Sequence, residues 1–218
     1  MVFYQIHGVS ECATVGSWRN ATAQFFLFDG SSASLPVVVF GQSGDVPLAG
    51  EWDGKPPPPN LAPNSGVNSP SEGSSVAGQT QIFTTTCSDP DGWHNIHTID
   101  FKVEKGSGKE RDNGPPLALW VQFDEDRNVI RFFDPDLNVW TEGTPGANIT
   151  LSSQFADLHL AGTHIQGSGP TGPSVQVTWE VVFKQAAVKK NYRQFLQITD
   201  DSGLSTGFDN VGSWNVSK

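Results

Sequence analysis

Between residues 174 and 184 the chain reads SVQVTWEVVFK, with an apolar residue at every second position. In extended conformation Val175, Val177, Trp179, Val181 and Phe183 share one face, and Gln176, Thr178 and Glu180 share the other. Amphipathic helices repeat their apolar positions every three or four residues, so this period of two predicts a β-strand with one wet face. Such a strand requires a sheet, and a sheet with one apolar face requires a second layer to cover it. LALWVQFD at 117–124 repeats the pattern, placing Leu117, Leu119, Val121 and Phe123 on one face and Trp120 and Gln122 on the other. Further strand-like runs stand at 79–88, 96–104, 128–134, 156–166, 192–200 and 211–216, separated by turn sequences such as DPDG, FDPDLN and GSGPTGPS. This spacing predicts an antiparallel two-sheet sandwich over 64–218. With 23 Gly, 15 Pro and a single Met, the composition suits turns far better than long helices.

The first 55 residues have a different texture. Short aromatic or β-branched runs at 2–6, 15–20, 23–30 and 35–41 are bounded by Gly, Ser, Asn or Asp, which predicts a small β-meander over 1–55. So small a sheet cannot bury both faces, and it is expected to lean on the body of the chain, on a second copy or on another protein partner. Residues 56–63 form a proline-rich linker, PPPPNLAP. Proline lacks the N–H and fixes φ, so four in succession favour a stiff polyproline II spacer.

Two stretches resemble known families. VGSWRNATAQFFLFDG followed by FGQSGDVPLAGEWDG resembles one unit of the FG-GAP/VCBS-like repeats of bacterial extracellular proteins, over residues 13–55. The resemblance implies a propeller blade whose W-D-G turn opens a calcium loop. Here Asp53 and Gly54 run into Lys55 and four prolines, so the remaining acidic ligands are missing and no calcium is expected at that turn. The body resembles a bacterial extracellular Ig-like module at both ends, in SPSEGSSVAGQTQIFTTTCSDPDG and in FLQITDDSGLSTGFDNVGSWNV. That resemblance implies an Ig-like β-sandwich over 64–218 and an extracellular or cell-surface setting, and it carries no activity.

Several function classes are disfavoured. A net charge of −10 argues against nucleic acid, whose phosphates call for clustered Lys and Arg. No apolar run approaches the ~20 residues of a membrane span, and the first residues show no signal-peptide pattern. Nucleophile motifs and phosphate-cradling glycine loops are absent from the sequence, so the chain is read as not an enzyme. Cys12 and Cys87 allow one disulfide or two free thiols. His94 and His97, like His159 and His164, are spaced to point to opposite faces of a strand and make poor chelating pairs. Asp89 and Asp91, the 124–126 acidic run, Asp134 and Asp136, and Asp200 with Asp201 all fall in predicted turns, where aspartate bonds to its own backbone. No cofactor is expected; calcium would have its one opening between the DPDG turn and a neighbouring acidic loop. Asn20, Asn148 and Asn215 match N-x-S/T and are read as chance.

Aromatics are the remaining lead. Of seven Trp, Trp93 in a turn, Trp120 on the wet face of its strand and Trp140 beside the FDPDLN turn are candidates for exposure. Exposed Trp next to polar groups suits sugar, because a ring face meets C–H patches while the polar groups take hydroxyls. The sequence therefore predicts a non-catalytic extracellular structural or adhesion module, self-assembling through exposed β edges of its N-terminal sheet. The alternative is a carbohydrate-binding module using Trp93, Trp120 and Trp140.

Overall fold

The computed structural model describes residues 2–7, 13–19, 24–28, 38–39, 59–105 and 117–218. The chain divides into two units, Met1–Pro59 and Asn60–Lys218. In the first, β1 (Val2–His7), β2 (Ala13–Arg19), β3 (Gln24–Phe28) and β4 (Val38–Val39) pair antiparallel in chain order. Cys12, Trp52, the turn at 53–55 and the prolines through residue 58 lie outside the described residues.

The second unit is all-β among its described residues, with three short 3-10 turns and no α-helix. One sheet holds seven strands in the order β11-β10-β9-β8-β16-β17-β6. These are β6 (Glu72–Val76), β8 (Ile96–Lys105), β9 (Leu117–Asp124), β10 (Val129–Asp134), β11 (Val139–Gly143), β16 (Lys189–Asp200) and β17 (Asp209–Ser217). The other holds β12 (Thr150–Ser152), β13 (Ala156–His159), β15 (Ser174–Phe183), β7 (Thr80–Ser88) and β5 (Asn64–Ser69), with β14 (His164–Gly167) also on β15. The result is sandwich-like. One pairing departs from the expected antiparallel plan: β6 joins β17 in parallel, with Ser213 opposite Glu72 and Ser217 opposite Val76.

Alternation explains the core. Inward positions of β15 (Val175, Val177, Trp179, Val181, Phe183) face inward positions of β8 and β9 (Ile99, Phe101, Val103, Leu119, Val121, Phe123), and all are buried in one cluster. Phe83 of β7 joins the layers: its ring lies 5.3 Å from Phe101, 4.9 Å from Trp214 and 6.3 Å from Phe183, centroid to centroid. The polar tips of the large core residues are satisfied, Trp179 Nε1 donating to Thr85 Oγ1 at 3.1 Å and Trp214 Nε1 to Ser75 Oγ at 3.1 Å. Cys87 is a free thiol in this core, pushed up to about 12 by burial and so unreactive near neutral pH.

Two sequence expectations are refined. The run at 156–166 is broken into β13 and β14 by a 3-10 turn at Leu160–Gly162, and both halves pair with β15. Gly162 lies against the Glu180 side chain, and a Cβ there would require the carboxylate to move. The residues from Asn60 to Pro63, read as linker, are held by the body: Asn60 Nδ2 donates to Asp200 Oδ2 at 2.8 Å, Leu61 N donates to Asp91 Oδ2 at 2.6 Å, and Pro63 is buried.

The chain changes sheets between β5 and β6, around a cis Ser69–Pro70 bond. A buried amide knot holds the crossing: Asn68 Nδ2 donates to Gln194 Oε1, and Gln194 Nε2 reaches the carbonyls of Pro70, Ser71 and Ser213 at 3.1–3.2 Å.

Phe83→Ala leaves a cavity against three rings and is expected to lower stability by about 3–5 kcal/mol. Urea unfolding followed by Trp fluorescence measures it, and an unchanged midpoint would show that Phe83 does not join the layers.

Candidate functional site

The outward face of the seven-stranded sheet carries what its inward face cannot. Cross-strand register sets Trp140 opposite Phe133, Trp120 opposite Lys102 and Lys102 opposite Phe195. At ~4.8 Å between strands this row runs about 19 Å across five strands, from β11 to β16. Trp120 lies 4.9 Å from Trp140 at 72° and 5.2 Å from Phe133, and Phe133 lies 5.2 Å from Trp140, so the three rings form one cluster. Phe208, from the turn region before β17, adds a fourth ring 6.2 Å from Trp120 and is itself exposed.

Cations are wedged among these rings. Lys102 Nζ sits 3.7 Å from the Trp120 ring centroid and 3.6 Å from that of Phe208, while the Arg131 guanidinium lies 4.7 Å from the Trp140 ring. Burial holds the Lys102 ammonium below its ordinary pKa, against the pull of Glu104 and Asp100. Two residues along each strand, and so on the same face, a polar row runs parallel to the rings: Glu142, Arg131, Gln122, Asp100 and Gln197. Asp100 is nearly buried and accepts from Trp120 Nε1 at 2.7 Å and from Gln122 Nε2 at 3.0 Å. Arg131 Nη1 donates to Gln122 Oε1 at 2.7 Å, and Arg127 pairs with Glu142 at 2.6 Å. The arrangement offers apolar ring edges beside a braced set of donors and acceptors.

Of the three Trp singled out in the sequence, the structure brings Trp120 and Trp140 together and places Trp93 elsewhere. Trp93 opens a 3-10 turn ahead of β8, donates from Nε1 to the Gly169 carbonyl at 2.8 Å and stacks on His94 with centroids 3.6 Å apart. Its indole lies flat on Gly167, where any Cβ would overlap it, and it packs against the edge of the core. Phe133, Phe208, Lys102 and Arg131 were not anticipated. Their one sequence signal is the FF pair at 132–133, which in a strand forces one ring outward.

The turn aspartates behave as turn chemistry predicts. Asp89 Oδ1 accepts from Asp91 N at 2.8 Å, Asp134 Oδ1 from Asp136 N at 2.9 Å, and Asp200 Oδ1 from Ser202 N at 2.9 Å. The histidines form carboxylate pairs rather than chelating one another: His94 with Glu125, His97 with Asp126 at 2.6 Å and His159 with Glu180 at 3.2 Å. His97, Asp126 and Asp201 can bring three ligand atoms within 4.8 Å of one another, on an exposed surface.

No helix of the described residues is long and apolar enough to cross a membrane. No family model matches the chain, and no curated protein matches it. Among solved structures, one of the bacterial superantigen toxic shock syndrome toxin-1 is similar at 12% identity and a TM-score of 0.31, covering 70% of this chain and 98% of that one. A likeness of that size carries no argument about fold or function.

Burial raises the Asp100 carboxyl above its ordinary range, although Gln122, Trp120, Lys102 and Arg131 all pull it down. Its contribution to stability is therefore present in full below about pH 4 and is lost as pH rises through the raised value. Urea midpoints taken from pH 3 to 7 are expected to fall relative to Asp100→Asn as pH rises; parallel curves would refute a carboxyl whose burial outweighs its hydrogen bonds.

Proposed function

We propose that this chain is a non-catalytic module of an extracellular bacterial protein, and that the outward face of its seven-stranded sheet binds a glycan. One observation carries the reading: Trp120, Trp140, Phe133 and Phe208 gather on a solvent-side face directly beside a polar row. Outward positions of a sheet are ordinarily polar, so four clustered rings there call for a partner of their own. Sugar rings present C–H faces that settle on aromatic surface, and their hydroxyls need the fixed donors and acceptors that Gln122, Arg131 and Gln197 supply. Preorganisation favours binding, because Asp100 holds Trp120 and Gln122 in place before any ligand arrives. The extracellular setting draws support from the module-like sequences at both ends of the body.

Glycan-array screening followed by calorimetry tests this. Trp140→Ala and Trp120→Ala are each expected to weaken binding about tenfold or more, ~1.4 kcal/mol, with the circular dichroism spectrum retained. Absence of any glycan ligand, or binding unaltered in both variants, would overturn the reading.

A second reading, self-association through the N-terminal unit, is favoured by its four-stranded sheet, which among the described residues ends in β1 on one side and the two-residue β4 on the other. Strand edges of this kind invite pairing with another chain. Light scattering on the eluting protein is expected to give a dimer or larger mass, and a monomer at high concentration would exclude it.

A further inference from the structure

Acid and base are unequal in this chain: 23 Asp and Glu stand against 13 Lys and Arg, so a cation has carboxylates to spare. Lys184 and Arg127 take one each. Lys184 Nζ lies 2.7 Å from Asp157 Oδ1, and Arg127 Nη2 lies 2.6 Å from Glu142 Oε1. On the outward face of the seven-stranded sheet Lys102 and Arg131 do otherwise, and among the described residues neither forms an ion pair. Lys102 Nζ lies 3.7 Å from the Trp120 centroid and 3.6 Å from that of Phe208, and it gives no hydrogen bond to a described residue. A ring face attracts the ammonium charge, yet it leaves the three N–H groups without an oxygen. Arg131 is half-satisfied. Its Nη1 donates to Gln122 Oε1 at 2.7 Å, its one hydrogen bond among the described residues, and its Nε is buried with no acceptor.

The carboxylates of the same face are in the opposite condition. Asp100, 5% exposed, accepts from Trp120 Nε1 on Oδ1 and from Gln122 Nε2 on both oxygens. Glu142 accepts from both terminal nitrogens of Arg127, at 3.0 and 2.6 Å. Glu104, two positions along β8 from Lys102, stands opposite Arg193 in the register with β16. What the charged groups of the face leave unspent is therefore donor capacity, and it is positively charged.

We propose that the glycan taken by this face is an acidic one, whose carboxylate or sulfate groups lie against Lys102 and Arg131; this rests on the glycan reading above. Oxyanions of that kind supply the charged acceptors that an ammonium and a guanidinium fork bond most strongly. Lys102 against Trp120 and Arg131 against Trp140 set one cation at each indole, so a polymer with acidic groups on more than one sugar can be held at both while its C–H faces rest on the rings. Partial burial among rings makes each contact stronger than it would be in water. General attraction cannot replace these contacts, because a chain of net charge −10 repels a polyanion at a distance.

On a glycan array the ligands of the full chain are expected to be those bearing carboxylate or sulfate. Calorimetry with two pairs of polymers that share a backbone separates the two anions: polygalacturonate with its methyl ester, and dextran sulfate with dextran. In at least one pair the acidic member is expected to bind about tenfold tighter or more than the neutral one. Lys102→Met keeps an unbranched stem between the rings without the ammonium, and Arg131→Gln removes the fork. Each is expected to weaken binding of the acidic polymer about tenfold and to leave that of the neutral polymer unchanged, so a variant that fails to fold is recognised and the other still decides. Lys184→Gln removes the same charge beside the other sheet and is expected to bind as wild type does. Array ligands that are neutral, equal binding within both pairs, wild-type affinity in both Lys102→Met and Arg131→Gln, or an equal loss in Lys184→Gln each overturn the proposal. The glycan reading survives those outcomes wherever Trp120→Ala and Trp140→Ala still weaken binding; no ligand on the array or among the four polymers overturns both.

Discussion

The body depends on the contact made where Phe83 meets Phe101, Phe183 and Trp214, because there the two sheets become one structure. Neither sheet is stable with its apolar face in water, and burying the alternate residues of β15 against those of β8 and β9 removes both faces at once. That single demand fixes what every other strand position must do. Once Val121 and Phe132 point inward, Trp120 and Phe133 must point out, and the register that pairs Phe133 with Trp140 extends the row. The aromatic face is thus a by-product of the same alternation that builds the core, filled with rings where polar side chains would have served folding equally well.

The sequence was most legible where large apolar residues alternate. The strand read at 117–124 is β9 to the residue, and the one at 174–184 is β15 less its final Lys184. It was silent on β5 and β6, whose NSGVNS and EGSSV hold small and polar side chains. Those strands are held by what they meet in three dimensions: the Asn68–Gln194 knot, and Ser75 beneath Trp214. The break at Leu160–Gly162 was hidden because 156–166 is apolar enough for one strand. Trp120 and Trp140 could be suspected singly. Their meeting could not, since a pairing register depends on the turns between strands and one residue of slip would turn every ring to the other face.

The charged groups of an acidic chain are sorted by where the fold puts them. On the aromatic face Lys102 and Arg131 lie against rings, and the one nearly buried carboxylate, Asp100, is occupied in bracing Trp120 and Gln122. Away from it, Asp200 is held by four donors, while Asp89 takes the Asp91 N–H on one oxygen only. Asn60 and Leu61 donate to Asp200 and Asp91, so turn aspartates hold the first residues of the body in place.

The parallel pairing of β6 with β17 has a mechanical meaning. Five residue pairs, from Glu72 with Ser213 to Val76 with Ser217, form a ladder between an early strand and the last one. Tension that enters on the N-terminal side of β6 and leaves beyond Ser217 runs along that ladder, and its hydrogen bonds then share the load in shear. An antiparallel pair in the same place would open from one end, bond by bond. A body fastened in this way resists tension applied between its two ends with the whole ladder at once.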